Sequence, residues 1–274
     1  ATVMQSHLHT DGVIGDFRLL EATDPRRPTE LSNWDPRTSG LSEVEQAIID
    51  PADLHVHRAW LSRQGSTGWL AIWDGGVVML DLSQPETPEV VVHLPGGDTT
   101  DGNAHTVAVE PASGVLIRSD ENLSLGGSGD GEITWGGQTI YDVSDPANPL
   151  EQATFSSSGA ADDDGVPTTA GYFSAHEVVI HQGFAYGSWY SDGLRIVDLS
   201  DPSHPEEIGS FIPPPAPDPQ RHWVAPSGER SFPMVWGVAI ADGLVFLSDM
   251  NTGLWIVRYA PSPLETVPDA GSVL

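Results

Sequence analysis

The chain has 274 residues, and its 39 acidic and 11 basic residues give a formal net charge of −28. This acidity repels nucleic-acid phosphates and anionic lipid headgroups, so we expect no nucleic-acid partner. The sequence has no Cys and no apolar run of about 18 residues, which excludes disulfides and a helical membrane span.

One segment recurs along the chain as an apolar strand followed by a polar turn. In chain order the copies read DFRLLEATDP from Asp16, GVVMLDLSQP from Gly76, GQTIYDVSDP from Gly137, GLRIVDLSDP from Gly193 and GLWIVRYAP from Gly253. The 29 Gly and 23 Pro are scattered between short apolar runs, which is typical of tight turns between strands. Such a repeat indicates stacked or radially arranged units.

The fourth copy shows what one unit contains. HEVVI from His176 predicts a first strand, and FAYGSW from Phe184 predicts a second. Asp192-Gly193 supplies a turn in which Gly takes a positive φ, and LRIVDLS then forms the third strand. EEIGSF from Glu206 is polar enough for the outer edge of a sheet, so each unit is predicted to be a four-stranded meander.

These units predict an all-β fold: a single β-propeller domain, residues 1–274, of about five four-stranded blades. A β-sandwich is the alternative. The blades are expected at about 2–34, 55–95, 105–155, 176–212 and 236–268. The first copy begins at its second strand and lacks an inner strand, whereas LETV from Leu264 supplies the fourth strand of the last copy. We therefore expect an upstream segment removed from a precursor, or another chain, to complete the ring.

LRIVD, Leu194–Asp198, nearly spells the motif for which the LVIVD-repeat proteins are named. The chain resembles this family over nearly its whole length, most clearly in the third strands. The resemblance implies a secreted or cell-surface propeller, here without a signal peptide in the sequence. It implies no particular chemistry, because one fold hosts many activities.

Long insertions fall at equivalent places in the repeat and are predicted to gather on one face of the propeller. They span 35–54, 96–104, 121–132, 156–175 and 213–235. Loops of this length on a rigid scaffold commonly form binding sites. We expect this face to bind a small molecule, a polysaccharide or a protein.

The inner strands carry a second signal. Aligned by their apolar pattern they read HRAWL from His57, HTVAV from His105, HEVVI from His176 and WGVAI from Trp236. Three consecutive blades thus place His at one position, which predicts three imidazoles converging at the mouth of the channel. Imidazoles bind zinc, copper, iron or manganese, and three of them leave a position open for substrate. In a purely structural alternative, each ring hydrogen-bonds a neighbour's backbone.

Other candidate ligands are weighed against this set. His55 shares a strand face with His57 and can replace it, and His222 in the Pro-rich insertion can cap the site. Asp120, Asp130 and Glu132 superficially resemble a calcium loop but miss the spacing of an EF-hand. A remoter similarity to selenium-binding, methanethiol oxidase and some polysaccharide-lyase propellers, which also hold a metal with axial His, supports the histidine site.

Two functions remain open at this point. In the first, the metal serves a reaction of undetermined type, as an oxidoreductase, lyase or hydrolase. In the second, the protein is a non-catalytic module whose loop face binds a carbohydrate, protein or surface polymer, with Trp223 and Trp236 as the contact residues.

Overall fold

The computed structural model describes residues 2–5, 16–38, 41, 54–96, 103–123, 135–162, 171–215 and 232–260. Within these ranges the regular elements are β-strands, apart from one short helix, α1 (Ser158–Asp162). No helix among these residues is long and apolar enough to cross a membrane.

The strands in the described ranges form five antiparallel sheets, each a meander in sequence order. The first contains β1 (Thr2–Gln5), β2 (Phe17–Glu21) and β3 (Thr29–Trp34); the second contains β4 (His55–Leu61), β5 (Thr67–Trp73), β6 (Gly76–Asp81) and β7 (Glu89–Leu94). The third contains β8 (Ala104–Glu110), β9 (Val115–Asp120), β10 (Gln138–Asp142) and β11 (Leu150–Phe155); the fourth contains β12 (Val178–His181), β13 (Phe184–Ser188), β14 (Leu194–Asp198) and β15 (Glu206–Phe211). The fifth contains β16 (Val235–Ala241), β17 (Leu244–Asp249) and β18 (Gly253–Val257).

The repeated motif has a direct structural cause in the turn between the third and fourth strands. Asp81, Asp142 and Asp198 end the third strands of three sheets, and one carboxylate oxygen of each accepts the backbone N–H two residues later at 2.8 Å. This side-chain bond replaces the ladder bond that the strand loses as it turns. The final Asp of the LRIVD segment is therefore a turn residue.

Apolar cores lie between consecutive sheets. Leu70 packs in the core between the first and second sheets, whereas its neighbour Ala71 packs in the core between the second and third. Similar cores lie between the third and fourth sheets and between the fourth and fifth. Contacts also join the inner strands of consecutive sheets: β4 with β8, β8 with β12, and β12 with β16.

This radial arrangement confirms the predicted propeller, because a β-sandwich has only two facing sheets. In the first sheet, β1, β2 and β3 take the places of the second, third and fourth strands, and no inner strand is found among the described residues, as predicted. The LETV segment lies outside the described residues, so the fourth strand of the last blade stays a prediction. The completion of the ring by another chain or an upstream segment also stays a prediction.

Two glycines of the fourth sheet test the turn chemistry. Gly193 and Gly183 have φ values of 72° and 78°, which disfavour any residue with a Cβ. An Ala Cβ would collide with the Phe211 carbonyl oxygen at Gly193, whereas nothing lies within 4 Å at Gly183. We expect Gly193→Ala to lower the free energy of unfolding by about 3 kcal/mol and Gly183→Ala by about 1 kcal/mol in urea denaturation. Equal losses would contradict the close approach at Gly193.

Candidate metal centre

The residues aligned at the start of the inner strands lie at β-bulges. In β4 the ladder shifts register between Val56 and Arg58, which leaves His57 as the extra residue. The same shift isolates His105 in β8 and Trp236 in β16. A bulge re-aims the side chain of the extra residue, so these side chains leave the normal alternation of their strands.

The fourth sheet has the same irregularity just before β12. The His176 N–H donates to the Ser188 carbonyl at 3.0 Å, and the Ser188 N–H donates to the Glu177 carbonyl at 2.8 Å. Two residues thus face one across the ladder. His176 therefore occupies the position that the sequence register assigns to it.

The bulged residues form a row of rings. Ring centroids are 3.8 Å apart between His57 and His105, 3.9 Å between His105 and His176, and 4.2 Å between His176 and Trp236. Neighbouring planes are tilted by 41°, 42° and 49°. The structure therefore brings the three predicted imidazoles side by side.

Hydrogen bonds from blade to blade fix the rings of His57 and His176, whereas His105 Nδ1 lies 2.9 Å from Thr106 Oγ1 in its own strand. His57 Nδ1 donates to the carbonyl of His105 at 3.0 Å, and His176 Nδ1 donates to the carbonyl of Trp236 at 2.5 Å. A carbonyl oxygen only accepts, so both Nδ1 atoms carry the proton of the neutral imidazole. Nε2 of each ring then presents a lone pair, which is the state that binds a metal.

A second position in the repeat lies beside the same row of rings in the second, third and fourth sheets. It is the last residue of the second strand or lies one or two residues after it: Trp73, Glu121, Tyr190 and Met250 in the second to fifth sheets. The rings of Trp73 and Tyr190 lie 5.4 Å and 5.1 Å from those of His57 and His176. In the third sheet this position places Glu121 Oε2 3.6 Å from His105 Nε2.

His105, Glu121 and His176 form a buried cluster. Each offers one ligand atom, and these atoms all lie within 4.8 Å of one another. Their exposed fractions are 2%, 9% and 0%. His176 Nε2 is fully buried and has no hydrogen-bond partner among the described residues. Ligand atoms on one tetrahedral zinc ion are about 3.3 Å apart, so the spacing between His105 and Glu121 is close to that of a metal site.

Burial sets the charge of this cluster. It lowers the pKa of His176 to about 4. It lowers the pKa of His105 further, and the adjacent His176 and His57 rings act in the same direction. Both imidazoles are therefore neutral at pH 7. Burial also raises the pKa of the Glu121 carboxyl, and the Tyr190 hydroxyl, which donates to Glu121 Oε1, acts against that rise.

A mostly aromatic group packs beside the cluster. Trp135, Tyr172, Tyr190, Phe232 and Met234 form this buried group, to which the ends of the insertions 156–175 and 213–235 contribute Tyr172, Phe232 and Met234. Ser191 Oγ accepts the Tyr172 N–H at 3.0 Å and donates to the Pro233 carbonyl at 3.0 Å. The described ends of these insertions therefore meet on the side of the propeller that carries the cluster.

The remaining predicted site residues have different outcomes. His57 lies beside the cluster, and its role as a ligand stays a prediction. His55 is more remote, with its ring centroid 6.3 Å from that of His57. His222 and Trp223 lie outside the described residues. Trp236 is 39% exposed beside the row of imidazoles, so its side chain is available for ligand contact.

Glu121 is not among the site residues predicted from the sequence. Of the neighbouring acidic residues weighed as calcium ligands, Asp120 pairs with Arg118 at 3.0 Å, and Asp130 and Glu132 lie outside the described residues. A signal for Glu121 existed in the sequence. Aligning the second strands places it where the adjacent repeats carry aromatic residues, and a carboxylate at such a position is unexpected.

Comparisons with known proteins agree with this fold. A model of the LVIVD repeat matches residues 133–156 and 174–212, which include His176 and Tyr190. Curated proteins gave no match.

Solved structures give distant likenesses. The Myceliophteria thermophila Cps50 (Swd1) β-propeller domain is 12% identical with a TM-score of 0.54, over 89% of this chain and 64% of that one. The Pseudomonas aeruginosa periplasmic gluconolactonase PpgL is also 12% identical, with a TM-score of 0.47 over 88% of this chain and 66% of that one. This chain thus spans less than two thirds of either structure. The likeness to the Cps50 domain shows the fold alone, and together with the repeat match it identifies the chain as a β-propeller that carries LVIVD repeats.

Proposed function

We propose that this propeller binds one transition-metal ion through His105, Glu121 and His176, and that the ion serves a reaction on a small molecule entering at the channel mouth. The observation that supports the proposal most directly is the buried Nε2 of His176, which has no hydrogen-bond partner among the described residues. Leaving a buried polar atom unpaired costs about 1–3 kcal/mol. A bound cation removes that cost.

A purely structural role accounts for the Nδ1 atom of these imidazoles but not for the Nε2 atom. The Nδ1 atoms of His57 and His176 tie one blade to the next, as the structural alternative expects. Metal-binding histidines commonly donate Nδ1–H to a backbone carbonyl in the same way, because this bond fixes the ring and its tautomer. The structural and metal-binding roles are therefore compatible in one residue.

Two imidazoles and one carboxylate form a donor set that suits zinc, iron or manganese, and copper also binds imidazole. Such an ion supplies Lewis acidity or an activated water at its open positions. The Tyr190 hydroxyl donates to Glu121 Oε1 and orients the carboxylate. The packed aromatic group beside the cluster limits access of bulk water.

We also infer that the protein acts outside the cell or on its surface. The resemblance to LVIVD-repeat proteins supports this location. The strongly acidic composition, with a formal net charge of −28, is compatible with it.

The metal site predicts a specific pattern of metal loss. After loading with Zn²⁺ and dialysis, we expect about one equivalent of zinc in the wild type. His105→Ala, Glu121→Gln and His176→Ala should each retain less than about a tenth of it, because each removes one of three ligands. Elemental analysis of the folded proteins measures this content.

His204→Ala is the matched control, because the His204 side chain is 82% exposed on an outer turn. It should retain the wild-type zinc content. His57→Ala tests the remaining sequence prediction: loss of zinc would make His57 a ligand, and retention would limit it to bracing His105. A wild-type protein that holds no zinc, copper, iron or manganese after loading would contradict the proposal.

The hydroxyl of Tyr190 gives a finer test. We expect Tyr190→Phe to weaken zinc affinity about 10-fold or more, because partners that hydrogen-bond a metal ligand typically contribute a factor of 10–100. Competition with a chromophoric chelator measures the affinity. Tyr186→Phe is the control, since Tyr186 packs between the fourth and fifth sheets. Equal affinities in wild type and Tyr190→Phe would exclude this role for the hydroxyl.

A non-catalytic recognition module is the second candidate, favoured by the exposed Trp236 beside the row of imidazoles. Indole rings at a mouth of this kind supply stacking area for a sugar ring. In this case Trp236→Ala should abolish binding to a polysaccharide array, and removal of metal should leave that binding unchanged. Metal-dependent binding would instead support the first candidate.

A further inference from the structure

A cavity of about 400 Å³ opens at the end of the blades opposite the proposed metal centre. It lies between the second and third sheets, where the β4–β5 hairpin, the β8–β9 turn and the turn after β10 meet. Val109 lines this cavity and lies four residues beyond His105 in β8, a rise of about 13 Å along the strand. The cavity is therefore a different place in the fold from the proposed metal centre.

The wall of this cavity carries no charge among the described residues. Of the thirteen residues that line it, eight have mainly apolar side chains, four have hydroxyls and one is Gly114. The chain has 39 acidic and 11 basic residues, so a recess without either type departs from its composition. A charged ligand would lose water here and gain no counter-charge. The wall therefore favours an uncharged ligand.

Two indole rings contribute the largest apolar side chains of the wall. Trp60 and Trp69 are directly paired across the β4–β5 ladder, and both pack toward the third sheet. Met79 is paired with Trp69 on the next strand, so the three side chains form one row across the sheet. Trp69 is buried, whereas Trp60 is only half-buried. The Trp60 ring is therefore accessible to a ligand in the cavity.

The Trp pair departs from the repeat. Trp60 is the third residue after the bulged His57, and Trp69 is its ladder partner. The corresponding pairs in the next two sheets are smaller: Ala108 with Ile117 in the third, and Val179 with Tyr186 in the fourth. Those sheets pack against their neighbours without an indole at either position. Packing between blades alone therefore explains the Trp pair poorly.

The polar groups of the wall are few and partly used. Ser113 Oγ donates to Glu110 Oε2 at 2.8 Å, and Ser62 Oγ accepts the Thr67 N–H at 3.1 Å. Ser144 and Thr67 contribute the other two hydroxyls. A sugar ring in this cavity would bury several hydroxyls and leave some of them without partners, which is unfavourable. The wall therefore suits a ligand with one or two polar groups.

We propose that this cavity binds a small uncharged aromatic compound with one or two polar groups, whose ring contacts Trp60. The cavity is near the lower end of the range for small-molecule sites, about 300–1,000 Å³, which suits one ring or two fused rings. Contacts between aromatic rings contribute affinity beyond the area that they bury. The hydroxyls of Thr67 and Ser144 are the partners for the polar group. This site does not depend on the proposed metal centre.

NMR of the full chain, labelled with carbon-13 at the methionine methyl groups, tests the place of binding without altering the wall. Indole is titrated as the uncharged probe. We expect it to shift the methyl signal of Met79, which lines the cavity, because the ring current of a bound aromatic ring acts at short range. The signal of Met234, which packs beside the proposed metal centre, should not move. Met79→Leu assigns the signal.

Two variants test the cavity by calorimetry. Trp60→Ala should weaken indole binding about tenfold, because one contact between rings is lost. Ala112 is exposed at the rim, and Ala112→Phe should weaken binding by at least as much, because the added ring occupies the mouth of the cavity. His204→Phe is the matched control, since it adds the same ring at a side chain that is 82% exposed on the fourth sheet. It should bind indole as the wild type does.

Four outcomes would overturn the proposal. The first is no binding of indole up to its solubility limit, and the second is a shift of the Met234 signal without one of Met79. In the third, glucose or the anion indole-3-acetate binds as tightly as indole, so that the ligand class is wrong. In the fourth, the wild type sediments as a dimer and Ala112→Phe as a monomer, which would assign the cavity to a second copy of the chain.

Discussion

The second, third and fourth sheets bury apolar side chains on both of their faces, and this constraint determines the rest of the structure. Successive residues such as Leu70 and Ala71 enter different cores, so each sheet needs a neighbour on each side. A sheet with two such faces cannot belong to a two-layer sandwich. Radial packing satisfies the constraint and brings the inner strands together. Residues at one position of the repeat, such as His57 and His105, then lie with their ring centroids 3.8 Å apart.

Bringing the inner strands together does not by itself form a binding site, because side chains alternate along a strand and only some of them face the axis. The bulges at His57, His105 and Trp236 remove that limit for one residue in each inner strand. The Nδ1–carbonyl bonds then fix the rings against the next blade. Because Nδ1 is used in this way, Nε2 is the nitrogen left for chemistry. In His176 the bond that stabilises the contact between blades therefore also leaves Nε2 available to the proposed metal, whereas His105 Nδ1 lies 2.9 Å from Thr106 Oγ1.

The sequence was sufficient to predict the blades, because each strand and turn has a local cause: apolar alternation, Gly193 with positive φ, and Asp198 bonding the backbone after its strand. It also predicted that His105 and His176 lie close together, because residues at the same position of neighbouring repeats are adjacent in a propeller. Glu121 escaped prediction because it lies outside the regular strand, at the start of an insertion. Its closeness to His105 depends on how the second strand ends, which a pattern of apolar residues does not encode. The bulges were also hidden, because only one or two strand residues precede each extra residue, too few to reveal the shift in alternation.

The repeat supplies a nearly symmetric row of rings, and the candidate site arises where that symmetry is broken. The position beside the row holds Trp73 in the second sheet, Tyr190 in the fourth and Met250 in the fifth, none of which carries a negative charge. Glu121 places a carboxylate at this position between His105 and His176, where its burial would be costly without a cation or a proton. Tyr190 offsets part of that cost with one hydrogen bond. The other carboxylate oxygen and His176 Nε2 face the same small volume, so the one cation that we propose here would satisfy both.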